Sequence, residues 1–229
     1  MRRPLLALLA CLCLMTPTQS QDEPHAPVAR AELGWLNPAV LDVIREYPTD
    51  GTHRFHWPKS GNWKGTTRDV VYAGTKLIDG DPQGRCYCCG LTFEVYVRAL
   101  MHATGGRPVE GVSADTLREA QLRFFGDSKQ DPERRKLVQH AFASLGLGQA
   151  IEDLKQARAG DFVQFWRHSG SGHSAIFINW LWKGDEIVGL VYWSTQGSTH
   201  GIGYNSERIG PDGVKADEIY IGRPGWGDE

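Results

Sequence analysis

Arg85-Cys86-Tyr87-Cys88-Cys89-Gly90-Leu91-Thr92 opens an apolar stretch that runs on to Thr104. Phe93, Val97, Leu100 and Met101 share one helical face, and Leu91 and Val95 widen the stripe. The pattern predicts a helix over Gly90–Thr104, ended by Gly105-Gly106. A helix this apolar is expected to be central and buried. Its N-terminal end carries thiols. A cysteine there is a candidate nucleophile, because unpaired backbone N–H groups and the helix dipole favour the thiolate.

Working outward, the stretch Gly160-Asp161-Phe162-Val163-Gln164-Phe165-Trp166 leads through a Gly/Ser loop into Gly172-His173-Ser174-Ala175-Ile176-Phe177-Ile178. These read as strands, and His173 stands at the start of the second. A Cys and a His distant in sequence can meet in a fold and form an activated pair. A histidine fixed at a strand end is held rigidly, as a general base requires. Further β-like runs are expected at Ile187–Ser194 and Glu218–Ile221, with a weaker one near 201–208. Lys183-Gly184-Asp185-Glu186 suits a hairpin turn. Upstream, Pro38–Tyr47 suits a helix with Asn37 as N-cap, and Asp115–Phe125 suits another. Asp131-Pro132-Glu133 would open a last helix, whose apolar side is Leu137, Val138, Ala141, Phe142 and Leu145 and whose end is Gly146. Helices first and strands second imply an α+β domain with an antiparallel sheet.

The first twenty residues read as an export signal. Arg2 and Arg3 precede the apolar Leu5–Met15, and Thr18 and Ser20 are small residues at the right places for cleavage. That apolar run is too short to span a bilayer. Leu8-Leu9-Ala10-Cys11 loosely resembles a lipoprotein cleavage box, but the apolar region before it would be unusually short. The expectation is an exported chain, periplasmic or extracellular, with no membrane insertion after signal removal. Residues 21–65 read as a Pro-rich leader and an irregular stretch, and residues 66–229 as the catalytic domain. Without residues 1–20, Lys+Arg falls from 25 to 23 against 27 Asp+Glu, leaving a net charge of −4. This argues against a nucleic-acid partner, which usually calls for a basic patch.

Three cysteines remain, at 86, 88 and 89. An odd, clustered set makes a poor disulfide framework for an exported protein; the bland alternative is one local bridge and a buried thiol. His53-x-x-His56 is weak as a zinc motif, because no second ligand pair accompanies it. His168 could serve as the base in place of His173 but reads as a solvated loop residue. Most of the eight tryptophans fall in strand-like segments and read as packing; Trp57 and Trp63 are the better cleft candidates. Asp161 reads as a turn cap.

Cys88-Cys89-Gly90-Leu91 resembles the Cys-Ser-Gly-Leu motif of NlpC/P60 cysteine peptidases, whose papain-like layout the CHAP amidases share. Gly160–Phe165 is similar to that family's Gly-Asp-Leu-Val-Phe-Phe strand, and Gly172–Ile178 to its His-Val-Gly-Ile-Tyr-Ile strand. Tyr72-Ala73-Gly74-Thr75 resembles its Tyr-x-x-Gly-Gly element. The resemblance covers roughly residues 66–223. It implies a papain-like domain, its helical half packed on a C-terminal antiparallel sheet. It also implies a thiolate hydrolase acting on peptidoglycan amides with no cofactor and no metal. By the motif, Cys88 is the nucleophile; Cys89, which replaces the usual Ser, is the alternative. Tyr72, Cys89 and Gly90 would contact substrate, with Gly90 admitting a substrate chain. The segment between Tyr72 and Cys88 is longer than the family's.

The third polar residue must lie on the strand after His173. A two-residue turn at Gly184-Asp185 sets His173 opposite Gln196, whose amide oxygen can accept from the imidazole. Ser194 and Tyr192 share that face, and alignment with the family favours Tyr192. Two rival readings keep the layout but change the role. One is an inactive cell-wall-binding module, and the other is a hydrolase or acyltransferase with a non-peptidoglycan substrate.

Overall fold

A computed structural model of the chain describes residues 26–58, 64–126 and 134–228. The export signal, the lipoprotein-like box, Trp63 and the helix start at 131–133 lie outside them. Four helices come first: α1 (Asn37–Arg45), α2 (Cys88–Thr104), α3 (Ala114–Phe124) and α4 (Val138–Leu145). A small hairpin, β1 (Val70–Tyr72) and β2 (Thr75–Ile78), lies between α1 and α2. After α4 come β3 (Gly148–Ile151), β4 (Phe162–Arg167), β5 (Gly172–Lys183), β6 (Glu186–Gln196), β7 (Gly201–Arg208) and β8 (Val214–Pro224). These six form one sheet in the order β3-β8-β4-β5-β6-β7, with every neighbouring pair antiparallel. The molecule is therefore α+β with an antiparallel sheet, as the order of helical and strand periods implied.

The sequence explains the helices locally. α2 starts two residues earlier than its periodicity suggested, at Cys88, and ends at Gly105 with φ +62. Leu91, Phe93, Val95, Tyr96, Val97, Ala99 and Leu100 are all fully buried, which matches a helix apolar on every side. Ser113 caps α3 by accepting from Thr116 N–H at 3.0 Å. Asn37 is not the cap of α1. It is the first helical residue, and its side-chain amide donates to Asp161 Oδ1 at 2.8 Å and to Ala159 O at 3.0 Å. Long-range bonding to the buried Asp161 prevails over local capping here.

The helices cover one sheet face. Phe162, Ile176, Trp193 and Ile202 point into a core shared with α1 to α4. At its centre Tyr96, Phe124, Phe142 and Phe162 meet with ring centroids 5.0 to 6.1 Å apart, Tyr96 stacked on Phe124 and the other pairs edge-on. The alternate residues Val163, Phe165, Ala175, Phe177 and Tyr192 form a second cluster on the other face. Residues before 66 also join this core. Val40, Val43 and Ile44 of α1 sit in the main core, and Trp35 bridges to Gly225.

The β5–β6 hairpin places the site. Lys183 pairs with Glu186 across Gly184-Asp185, with Gly184 at φ +60. Two irregularities follow: Val188 is skipped on β6, and Ile178 is skipped on β5. One shifts the register by a residue and the other restores it, so Phe177↔Tyr192 and Ile176↔Trp193 return to the spacing set by the turn. Extending that register puts His173 opposite Gln196.

Candidate active site

Tyr87 is the N-cap of α2, in extended conformation (φ −133, ψ 166), and no side chain caps the helix. The first helical hydrogen bond runs from Leu91 N–H to Tyr87 O at 2.9 Å. The amides of Cys88, Cys89 and Gly90 precede it and form the positive end of the helix. Cys88 and Cys89 are both buried and unbridged, with sulfurs 3.8 Å apart; Cys86 is also a buried free thiol. The local disulfide is therefore not formed.

The three thiols differ sharply. Cys88 is held well below the ordinary thiol range. A hydrogen bond from Cys89 is the largest cause; burial opposes it, and His173 and the Ser174 backbone N–H add to the lowering. Cys89 is pushed well above its usual value by its bond to Cys88 and by burial. Burial pushes Cys86 up to about 12. Of the two candidate nucleophiles, the thiolate is favoured at Cys88 and the proton at Cys89.

His173 Nε2–H donates to Gln196 Oε1 at 3.0 Å. The orientation of that amide follows from its other end. The Thr199 hydroxyl donates to Gly201 O at 2.6 Å and so accepts from Gln196 Nε2 at 3.0 Å, turning the amide oxygen toward the ring. The imidazole is thereby held as the Nε2–H tautomer, and Nδ1 is the nitrogen left for the Cys88 sulfur. Phe165 and Tyr192 pack edge-on to the ring, with centroids at 5.5 and 5.4 Å. Tyr192 does not reach the ring nitrogens: its hydroxyl donates to Glu207 Oε1 at 2.7 Å. Ser194 Oγ donates to Ser174 O at 2.8 Å. Among the three candidates for the orienting group, Gln196 is the one whose polar atom meets His173.

Other residues fall elsewhere. Tyr72 does not line the site. Its hydroxyl accepts from Val109 N–H at 2.8 Å and donates to Val112 O at 3.0 Å, inside the core. A Cβ on Gly90 would lie 2.1 Å from Lys64 O and 2.4 Å from Gly65 O. Gly90 thus admits the protein's own backbone rather than a substrate chain. His168 is exposed on the loop before β5 and does not line the cavity. His53 Nδ1 meets Gly84 O at 2.7 Å. Among the described residues no group of three or more His, Cys, Asp or Glu is placed to hold a metal ion. No helix among them is long and apolar enough to cross a membrane. Asp161 accepts from Arg158 N–H, as a turn cap does, and is also bonded at both oxygens by Arg223 at 2.9 Å.

Two buried polar groups beside the thiols escape a reading by motifs. Ser174 Oγ donates to Gln164 Oε1 at 2.6 Å and lies 3.7 Å from Cys89 Sγ. Gln164 is the one polar side chain in Phe-Val-Gln-Phe-Trp, and that was its visible signal. Glu94 is another, a fully buried carboxylate two turns along α2. It accepts from Thr67 N–H at 2.6 Å, from Thr67 Oγ1 at 2.7 Å and from Tyr47 Oη at 2.7 Å. A single acid within Leu-Thr-Phe-Glu-Val-Tyr-Val marked it.

Cys88, Cys89, His173 and Gln196 line a cavity of about 520 Å³, together with the aromatic side chains Phe55, Trp57, Phe125 and Trp166. A thiol whose ionised form is favoured, a histidine held by Gln196 and a helix N-terminus thus converge on one apolar cleft. That arrangement can attack a carbonyl carbon, hold the resulting oxyanion and protonate a leaving group. The chain matches no family model, no curated protein and no solved structure.

Proposed function

We propose that the protein is an exported cysteine hydrolase with a papain-like, NlpC/P60-type catalytic layout that cleaves amide bonds, with peptidoglycan as the substrate the motifs suggest. The observation that carries this reading is the Cys88–His173–Gln196 relay at the N-terminus of α2. Cys88 gives its thiol proton to His173 Nδ1, and the resulting thiolate, beside the imidazolium, adds to the carbonyl carbon as the carbonyl electron pair moves onto oxygen. The oxyanion faces the first-turn amides of α2. Collapse expels the amine, which takes its proton from the His173 imidazolium, and leaves a thioester on Cys88. Water then gives a proton to His173 and attacks the thioester, releasing the acid and restoring the thiolate. Gln196 holds the ring without adding charge.

The test is incubation of the protein with purified cell wall, followed by mass analysis of the released fragments, with Cys88→Ala in parallel. The expected result is release of fragments carrying new amine and carboxyl ends by the native protein alone. Fragments released equally by Cys88→Ala, or by neither protein, would count against the reading. A papain-like hydrolase or acyltransferase acting on a non-peptidoglycan amide is a second reading, favoured by the apolar lining of the cleft.

A further inference from the structure

The cavity's chemistry is one-sided. Trp57 and Phe125 both pack on Tyr87, the residue preceding the nucleophile, with ring centroids at 4.8 and 5.8 Å. Trp166 faces the same space from β4, its Nε1–H tied to Arg135 O at 2.9 Å and its ring under the Arg135 guanidinium at 4.6 Å. Leu137 and Phe55 complete the apolar lining. Among the described lining residues Arg167 is the one arginine or lysine, and both its arms are bound by Glu207, at 2.6 and 2.5 Å. Among these residues the cleft therefore offers a carboxylate-bearing substrate no arginine or lysine without a carboxylate partner. Phe55 also lines a second cavity, with Asp50, Arg54 and His200, beside Gly197. Charge is thus gathered on the far side of Phe55, next to the residue after Gln196.

Building on the second reading, a cysteine hydrolase with a non-peptidoglycan amide substrate, we propose that this cleft selects amides bearing an aromatic side chain beside the scissile carbonyl, with the ring seated among Trp57, Phe125 and Trp166. An aromatic ring suits this lining better than a carboxylate or a methyl group does. Its edges and faces complement rings already set at tilted and edge-on angles, and its transfer from water is favourable. A peptidoglycan γ-glutamyl residue would bring a carboxylate into the apolar pocket unpaired, which costs affinity.

Binding is measured by calorimetry on full-length Cys88→Ala protein, so that the result does not depend on turnover. Acetyl-phenylalanine amide should bind at least about tenfold more tightly than acetyl-alanine amide and acetyl-glutamate amide. Trp57 is 59% exposed, so Trp57→Ala removes part of the wall with little effect on packing. In that background the phenylalanine preference should fall to about threefold or less. Turnover of acetyl-Phe-Ala amide and acetyl-Ala-Phe amide by the native protein then shows which side of the bond carries the ring. Equal affinity for the three ligands, tighter binding of the glutamate or of an octanoyl amide, or a preference unchanged by Trp57→Ala would overturn the proposal. Aromatic binding with no hydrolysis of any amide would leave the pocket assignment standing and remove the hydrolase. Cell-wall cleavage with no aromatic preference would do the reverse.

Discussion

Cys88 and Cys89 are adjacent in sequence yet opposite in protonation, and the difference is testable thiol by thiol. An unperturbed thiol titrates near about 8.5. Cys88 is depressed below that value, so iodoacetamide should label it at a pH well below that of an ordinary thiol, while Cys86, pushed up to about 12, should resist until the protein unfolds. Peptide mapping after labelling across pH checks this; simultaneous labelling of all three near pH 8.5 would contradict it. The linkage signs differ too. Between the lowered Cys88 value and about 8.5, the unfolded chain binds a proton that the folded one does not, so this thiol adds stability as pH rises through that window and loses it as pH falls through the folded value. Cys86 acts oppositely: its folded form keeps a proton from about 8.5 to about 12, so stability falls with pH there. The hydrogen bond from Cys89 is the largest cause of the lowering at Cys88. Cys89→Ala should therefore move the acid limb of the kcat/KM–pH profile upward, whereas Cys89→Ser, which keeps a donor, should leave it low. An unmoved limb in Cys89→Ala would show that His173 and the helix end suffice alone.

At the scale of elements, the β5–β6 hairpin decides which polar group meets the histidine. Turn arithmetic from Gly184-Asp185 located Gln196 because the irregularities at Val188 and Ile178 cancel; either alone would have turned Gln196 to the opposite face. Gln196→Ala should lower turnover about 10- to 100-fold with KM little changed, because a positioned base contributes about 10²–10⁴-fold and only its orientation is lost. Tyr192→Phe and Ser194→Ala, whose hydroxyls bond Glu207 and Ser174 O, should retain more activity than Gln196→Ala. The reverse ranking in steady-state kinetics would shift the orienting role to one of them. Legibility followed pattern strength. α2 and α3 were readable from apolar period and caps, and β4 to β6 from alternation and turn residues. β3, Gly-Gln-Ala-Ile, was not: it has almost no pattern of its own and is a strand because β8 pairs with it. Tyr72 was misplaced because a tyrosine in a short motif does not reveal whether its hydroxyl faces a cleft or two backbone groups in the core.

Across the whole molecule, a few buried polar contacts tie distant parts of the chain together. Arg223 of β8 holds Asp161 at the head of β4, and Asn37 of α1 shares the same carboxylate. The pair is almost wholly buried, with side-chain exposures of 3% and 0%. Removing one partner leaves an uncompensated charge, so Asp161→Ala should cost about 3–5 kcal/mol in urea unfolding. The charge-conserving Asp161→Glu should cost less, and a loss below about 1 kcal/mol for Asp161→Ala would mean that water reaches Arg223. The sequence showed Asp161 as a turn residue but could not show its partner, because Arg223 lies 62 residues away and only the sheet order brings them together. The same corner carries a further consequence. Leu36 N–H donates to Pro224 O at 3.0 Å, and Trp226 N–H donates to Gly34 O at 2.9 Å, so the incoming and outgoing backbones run side by side. Topologically the domain is nearly a closed loop, cut at that seam. A short peptide joining the two backbones, with new ends opened between Gly184 and Asp185, would give a circular permutant carrying the site residues in the new order Gln196, Cys88, His173, and the unpermuted domain could be set as a single insert into a surface loop of another protein.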